Sequence, residues 1–467
     1  MSSPLVMASF LILSTFCTLS AASSIVTHGF GISENNATPE YSTSYLPGVF
    51  CDRFYQIWLE NIDYADAAKN TDLKWLAEKG TTLTNYFATG HTSEPNYCAA
   101  ASGDSYGMDN DNFHQIPSNV STVVDLLNTK GISWAEYQED IPSVGYEGES
   151  FSNKHHDLAY VRKHNPLVLF DSITNNATAL KSIKSFSSFE DDLKAQNLPQ
   201  WAFFTPNMTN DGHDTSLAYG ANWMCGFITG LMDNTYFWNN TMILLTFDET
   251  ETYAEPNRVF SILIGGAIPT HLVGISDHTL YTHYSTISTV SANWGLPSLG
   301  RWDCGANIFG PVADMVNHTN CVVDTTNLYL NESLPGPLEA LGYSKYRSSW
   351  PVPTTDGSCS AGNGILQAVI DAYKGRKPTY NYTTPFPYDT TAGLDLDVTF
   401  SCNGTTYVSG VNTSGAIGHA VGVISSKLTN AASNSAWYAE SRANPASFLS
   451  LAVALGTLLV TSEWSWH

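Results

Sequence analysis

Apolar runs of strand length alternate with helix-length segments along most of the chain; the first and fifth of those runs are followed at once by acidic or amide residues, and the fourth after a single proline. Strands are predicted over 54–59, 81–87, 132–137, 201–205, 242–247 and 259–264, with helices over 65–78, 121–130, 189–196, 217–232 and 284–294. Gly80, Gly131 and Gly295 fall where three of these helices should stop, and Ser187 with Glu190 has the spacing of a capping box at the start of another. Such alternation is the pattern of an α/β fold, in which a mostly parallel sheet is covered by helices.

In open sheets of this kind ligands bind outside the carboxyl ends of the strands. Glu60 and Asn61 follow the first strand, residues 207–213 follow the fourth, and Asp248 and Glu249 follow the fifth. Most of these residues are polar, and the set is rich in oxygen donors. Three carboxylates brought to one rim would repel one another by about 1–4 kcal/mol per pair at ~4 Å, so a hard divalent cation is expected between them.

Ser93 lies between an extended segment and a short helix of small residues predicted over 98–102 and closed by Gly103. A serine at a strand-to-helix turn projects its hydroxyl where backbone N–H groups favour an anion, which suits a nucleophile; it can equally be the cap of that helix. Free serine attacks poorly, so a nucleophilic role needs an adjacent base or a metal. Asn207, Asp211, His213 and Asp214 form a second polar cluster, and His283 opens the helix over 284–294. An imidazole there can hold a phosphoryl oxygen or protonate a leaving alcohol. His155, His156, His164 and His419 are taken as surface or satisfied core residues.

The net charge of −23 excludes a role in holding nucleic acid, whose phosphates require clustered Lys and Arg. It also means that a negative substrate needs a local positive site, which a bound cation supplies. The first 22 residues have the apolar core and small-residue exit of a secretory signal. Residues 430–467 have small residues, a polar spacer and a short apolar run, the order of a GPI-anchor attachment signal on a disordered tail. Ten N-glycan sequons, from Asn36 to Asn412, agree with an extracellular, cell-surface chain. Residues 23–429 then form one catalytic domain, whose seven cysteines would fit three disulfides and one free thiol.

The ordered set Glu60-Asn61, Thr84 to Phe87 leading into His91 to Tyr97, Asn210 to Asp214, Phe247 to Glu249 and His283 to Ser285 resembles the fungal secreted acid phosphatases. These belong to the phosphoesterase family shared with bacterial phospholipases C, within the alkaline-phosphatase-like superfamily. The resemblance implies a three-layer α/β/α sandwich in which Ser93 attacks phosphorus, forms a phosphoserine and is regenerated by water. It implies that one divalent metal ion is held by Glu60, Asn61, Ser93, Asp248 and Glu249. His213 and His283 would be catalytic, and His91, Asn96 and Asp211 would bind substrate. Glu249 stands where the two-zinc members have a histidine, which favours one harder cation.

The expected activity is hydrolysis of small phosphate monoesters in acid, with His213 and His283 positive near pH 5 because free imidazole titrates at about 6.5. A phospholipase C-type phosphodiesterase would want an apolar groove beside the site. A noncatalytic cell-surface glycoprotein would be free to lose Ser93 or its acids, and the chain has kept them all.

Overall fold

In the computed structural model, residues 45–155, 157–339 and 349–411 are described, with the backbone of Val421–Val423. The expected signal and anchor segments lie outside them, as do His156 and His419. No helix among the described residues is long and apolar enough to cross a membrane.

The strands are β1 (Arg53–Leu59), β2 (Thr81–Phe87), β3 (Trp134–Gln138), β4 (Ser150–Ser152), β5 (Leu158–Val161), β6 (Ile183–Ser185) and β7 (Trp201–Thr205). They continue with β8 (Thr241–Phe247), β9 (Arg258–Ile264), β10 (Ser276–Thr282), β11 (Val322–Val323), β12 (Thr399–Cys402), β13 (Thr405–Ser409) and β14 (Val421–Val423). Eight of them form one sheet in the order β10-β2-β9-β8-β1-β7-β3-β6. Only the two pairings of β9 are antiparallel, so the sheet is mostly parallel, as the alternation predicts.

β1 sits at the centre and is buried along its whole length. Its successive side chains face opposite ways, as strand geometry requires. Phe54 meets Phe309, at the start of the helix Gly310–Met315, while Tyr55 meets Phe237 in the helix Thr235–Trp238. Helices therefore cover both faces, and the fold is a three-layer α/β/α sandwich.

Several predicted elements shift. The helix over 65–78 is two short ones, Tyr64–Ala67 and Thr71–Ala77, because the Asn70 side chain accepts from the backbone N–H groups of Asp72 and Leu73 and starts the second afresh. The helix predicted over 189–196 begins earlier, at Phe186, capped by Ser185 instead of Ser187. The chain beyond Phe309 adds a four-stranded sheet, β11-β12-β13-β14, that the sequence did not announce. Its Phe400 shares a cluster of apolar side chains with Leu280 of the edge strand β10 and Phe87 of β2 beside it.

Disulfides join Cys304 to Cys359 and Cys321 to Cys402. Among the described residues Cys51 and Cys98 are buried free thiols, where the sequence led us to expect one.

Glu136 on β3 is fully buried, with one carboxyl oxygen accepting from Leu167 N–H at 2.9 Å and the other without a partner. Burial pushes its carboxyl well above the usual range. A raised carboxyl stabilises the fold fully below its unfolded value of about 4.3 and loses that contribution as pH rises toward the folded value. Glu136→Gln should therefore match wild type near pH 4 and unfold at a higher temperature than wild type at pH 8, measured by thermal denaturation across pH.

Candidate active site

Backbone hydrogen bonds fasten the strand ends into one rim. Asp248 N–H donates to Leu59 O (3.0 Å), Glu60 N–H to Asp211 O (3.0 Å) and Ile62 N–H to Glu249 O (3.2 Å). The residues after β1, β7 and β8 thus meet in one place, because those three strands are parallel neighbours in matched register.

Ser93 enters this rim from the loop after β2. It is the first residue of a helix, Ser93–Ser102, that is five residues longer than predicted and buried throughout. Thr92 precedes it in extended conformation, so Ser93 is not the cap. The helix can begin there because Asp111 acts as the cap from outside: its Oδ1 accepts from Glu94 N–H (3.0 Å) and from Thr92 Oγ1 (2.5 Å). Pro95 falls in the first turn, where no N–H is needed. Gly103 ends the helix at φ 77°, and a Cβ there would lie 2.9 Å from Asp303 Oδ1.

The Ser93 hydroxyl donates to Glu60 Oε2 at 3.1 Å, and Tyr97 donates to Glu60 Oε1 at 2.5 Å. Asp248 is buried with neither carboxyl oxygen hydrogen-bonded. Glu249 accepts from Asn61 Nδ2 at 2.7 Å and pairs with His91 Nδ1 at 2.5 Å. Asn61 therefore spends its nitrogen on Glu249. His91 Nε2 is buried without a partner, and its ring stacks on the half-exposed Tyr253 at a centroid distance of 3.9 Å.

Asn96, expected to bind substrate, and His283, expected to be catalytic, are turned to internal uses. Asn96 accepts from Thr89 N–H and donates to the carbonyls of Gly90 and Thr92, so it braces the loop that delivers Ser93. His283 stacks on Trp58 at 4.2 Å, with Nε2 on Asp248 O (2.7 Å) and Nδ1 on Tyr86 Oη (3.2 Å). Burial lowers it to about 3, so it is neutral at pH 5, against the expectation of a positive charge there. Asp211 accepts from His213 N–H at 2.8 Å, while His213 is solvent-accessible and paired with Asp214.

His164, set aside as a satisfied histidine, lies in the rim. Its Nε2 is 3.3 Å from Glu60 Oε2 and its Nδ1 is 3.6 Å from Asp211 Oδ2. Lys163 beside it holds Asp111 at 3.0 Å. Both belong to the short basic turn Arg162–His164. Three basic side chains in a row are conspicuous in a chain with 20 Lys and Arg against 43 Asp and Glu, and that was the available signal.

The charges crowd one another. Burial, then Glu60 and Glu249, hold the Asp248 carboxyl well above its ordinary value. Burial, then Glu60, do the same to Asp211. Glu249 is pushed to about 9 by burial and then by Glu60 and Asp111, while burial brings His91 down to about 4. Acids that resist ionising this strongly need protons or a cation. The bare oxygens of Asp248 beside Glu60, with Asn61 and Ser93 adjacent, fit an oxygen-preferring divalent ion. Glu60, His164 and Asp211 make a second such group, with ligand atoms within 4.8 Å of one another.

Residues 58–297 match the model of the Phosphoesterase family. The chain belongs to that family. Every site residue from Glu60 to His283 falls inside the matched span. Among curated relatives, the chain is 59% identical over 362 residues to an "Acid phosphatase" of Aspergillus fumigatus, covering 77% of this chain and 81% of that one. It is 54% identical over 364 residues to a "Phosphate-repressible acid phosphatase" of Penicillium chrysogenum, covering 78% and 87%. Among solved structures, an alkaline phosphatase superfamily protein from Vibrio parahaemolyticus aligns with a TM-score of 0.36 at 12% identity, over 52% of this chain and 67% of that one.

A cation that relieves this repulsion should stabilise the fold. Adding a divalent ion to chelator-treated protein should raise its unfolding temperature, with about 2.7 kcal/mol gained at a hundredfold excess over Kd. Asp248→Asn should raise the unfolding temperature of the chelator-treated protein at pH 8 and abolish the response to metal, both read by calorimetry.

Proposed function

We propose that the protein is a secreted acid phosphatase that hydrolyses phosphate monoesters through a phosphoserine on Ser93. The observation that carries this is the Ser93 hydroxyl at the start of a buried helix, 3.1 Å from Oε2 of Glu60, which in turn crowds the unpartnered carboxylate of Asp248. The names of the fungal relatives support the same activity. Residues 23–429 would be the catalytic domain, preceded by a signal and followed by a GPI-anchored or cell-wall-attached tail.

In this reading Ser93 Oγ attacks phosphorus and its proton passes to Glu60 Oε2, while the bond from phosphorus to the substrate alcohol breaks. Water then attacks the phosphoserine and Ser93 leaves with a proton returned to it. The N–H groups at the start of the helix favour the anion as it forms. Asn96 keeps the loop in place, and Glu249 orients His91 so that Nε2 faces the pocket. The exposed His213 is suited to protonate the departing alcohol. A divalent ion held by Asn61, Asp248 and Glu60, with Glu249 or His164 completing the set, would lower the cost of bringing a phosphate among these acids. The acid preference follows from the same crowding: a phosphate ester loses its second proton near pH 6, and the resulting dianion is repelled more strongly.

A phospholipase C would want an apolar groove beside the site, whereas the cavity there mixes the apolar Phe113, Leu158 and Val161 with charged residues. The cavity next to the pocket is lined by Glu94, Asp111, Glu149 and Lys163 among others.

Hydrolysis of 4-nitrophenyl phosphate from pH 3 to 9 should show kcat/KM highest in acid and falling above pH ~6. Ser93→Ala should lower kcat by about 10⁴ or more and abolish acid-stable incorporation of labelled phosphate. Full turnover in that variant, or an optimum above pH ~8, would remove the mechanism or its acid preference respectively.

A further inference from the structure

Next to the Ser93 pocket lies a cavity of about 230 Å³, lined in part by Glu94, Asp111, Phe113, Glu149, Arg162 and Lys163. Its lining reaches the residue next to the nucleophile. Glu94 follows Ser93 in the helix, its N–H is held by Asp111, and Asp111 is held in turn by Lys163 at 3.0 Å. A group attached to phosphorus at Ser93 therefore has this cavity as a neighbour.

Three features describe what the cavity accepts. Glu94 is fully buried; its Oε2 pairs with His114 Nδ1 at 2.6 Å, while its Oε1 has no partner. A buried oxygen left bare costs free energy that a hydroxyl donor would recover. Phe113 is 48% exposed and is backed by the Arg162 guanidinium 4.3 Å from its ring centre, so it is a fixed aromatic surface at the cavity wall. Arg162 itself donates through Nη1 to the carbonyl of Glu147 and through Nη2 to those of His114 and Val168, so although its buried Nε lacks a partner, the Nη2 beside it is spent and the pair offers no two-pronged grip on a second phosphate. Glu149 and Asp111 add negative charge that disfavours further anionic groups.

An aromatic face, carboxyl oxygens that accept from hydroxyls and a volume below the roughly 300 Å³ of ordinary ligand pockets suit one neutral ring bearing hydroxyls. An acyl chain would leave the carboxyls unpaired, and a polyphosphorylated ring would meet like charge. We propose that this cavity is the subsite for the leaving alcohol and that it selects a polyhydroxylated ring, as in a sugar monophosphate. This rests on the reading of the Ser93 pocket as a phosphate monoesterase.

The test compares glucose 6-phosphate with ethyl phosphate on the full-length protein. Both are esters of primary alcohols, so their intrinsic reactivities are similar and the difference reports the subsite. Wild type should favour glucose 6-phosphate by about tenfold or more in kcat/KM. Phe113→Ala should lower kcat/KM for glucose 6-phosphate by about tenfold, chiefly through KM, and change ethyl phosphate by less than about twofold. Ser150→Trp, which fills the cavity from an exposed position on β4, should show the same selective loss. Equal wild-type rates on the two esters would overturn the proposal. So would equal losses on both esters in variants that keep the wild-type unfolding temperature. Failure of wild type to hydrolyse either ethyl phosphate or 4-nitrophenyl phosphate would overturn the monoesterase reading and this subsite with it.

Discussion

Like charge confined in a dry interior governs the centre of this molecule. Glu60, Asp211, Asp248 and Glu249 arrive from the ends of three adjacent strands, all of them buried. Few donors are available to them: Tyr97 and Ser93 on Glu60, Asn61 and His91 on Glu249, the His213 N–H on Asp211, and none on Asp248. Water cannot screen charges at this depth, so the cluster tolerates a second anion only when a proton or a cation accompanies it. The positive charge of Lys163 is tied to Asp111 at the edge of the cluster. The rest of the site is arranged to keep these acids in place despite their repulsion.

That restraint comes from ordinary fold elements. The antiparallel strand β9 lies between β8 and β2 and so fixes how far the Ser93 loop stands from Asp248. His283 ties the carbonyl of Asp248 to Tyr86 on β2 and stacks on Trp58 of β1, which connects three strands through one imidazole. A polar residue in a hydrophobic layer is tolerated when both of its nitrogens are bonded, and this one is. Asn96 does the equivalent work for the loop before the nucleophile.

Much of this was legible in the chain. Six strands of the main sheet were visible because they are short segments rich in apolar, aromatic and β-branched residues, while β6 and β10 were not foreseen; Glu60, Asp248 and Glu249 were visible because they follow two of those segments directly. The helix of Ser93 was misjudged at its start because its cap is Asp111, a residue beyond the helix in sequence that only the folded loop brings back. His164 was missed because its role depends on Glu60 and Asp211, which local sequence cannot bring near it. Asn96 and His283 were placed in the right region but given outward tasks, since sequence spacing does not tell which way a polar side chain turns once its backbone neighbours offer it partners. The C-terminal sheet was overlooked because its strands are short and broken by turns.

The two buried thiols also bear on how the chain matures. Cys98 lies within the helix of Ser93 and Cys51 just before β1, and burial raises both thiols well above their ordinary range. Disulfide exchange proceeds through the thiolate, so neither can exchange once the central sheet has closed over it. Cys304, Cys321, Cys359 and Cys402 bind together segments that come later in the chain. Closure of the sheet thus silences these two thiols, so that neither competes for the four cysteines of the described disulfides. Fidelity of pairing is in this respect a property of the hydrophobic core.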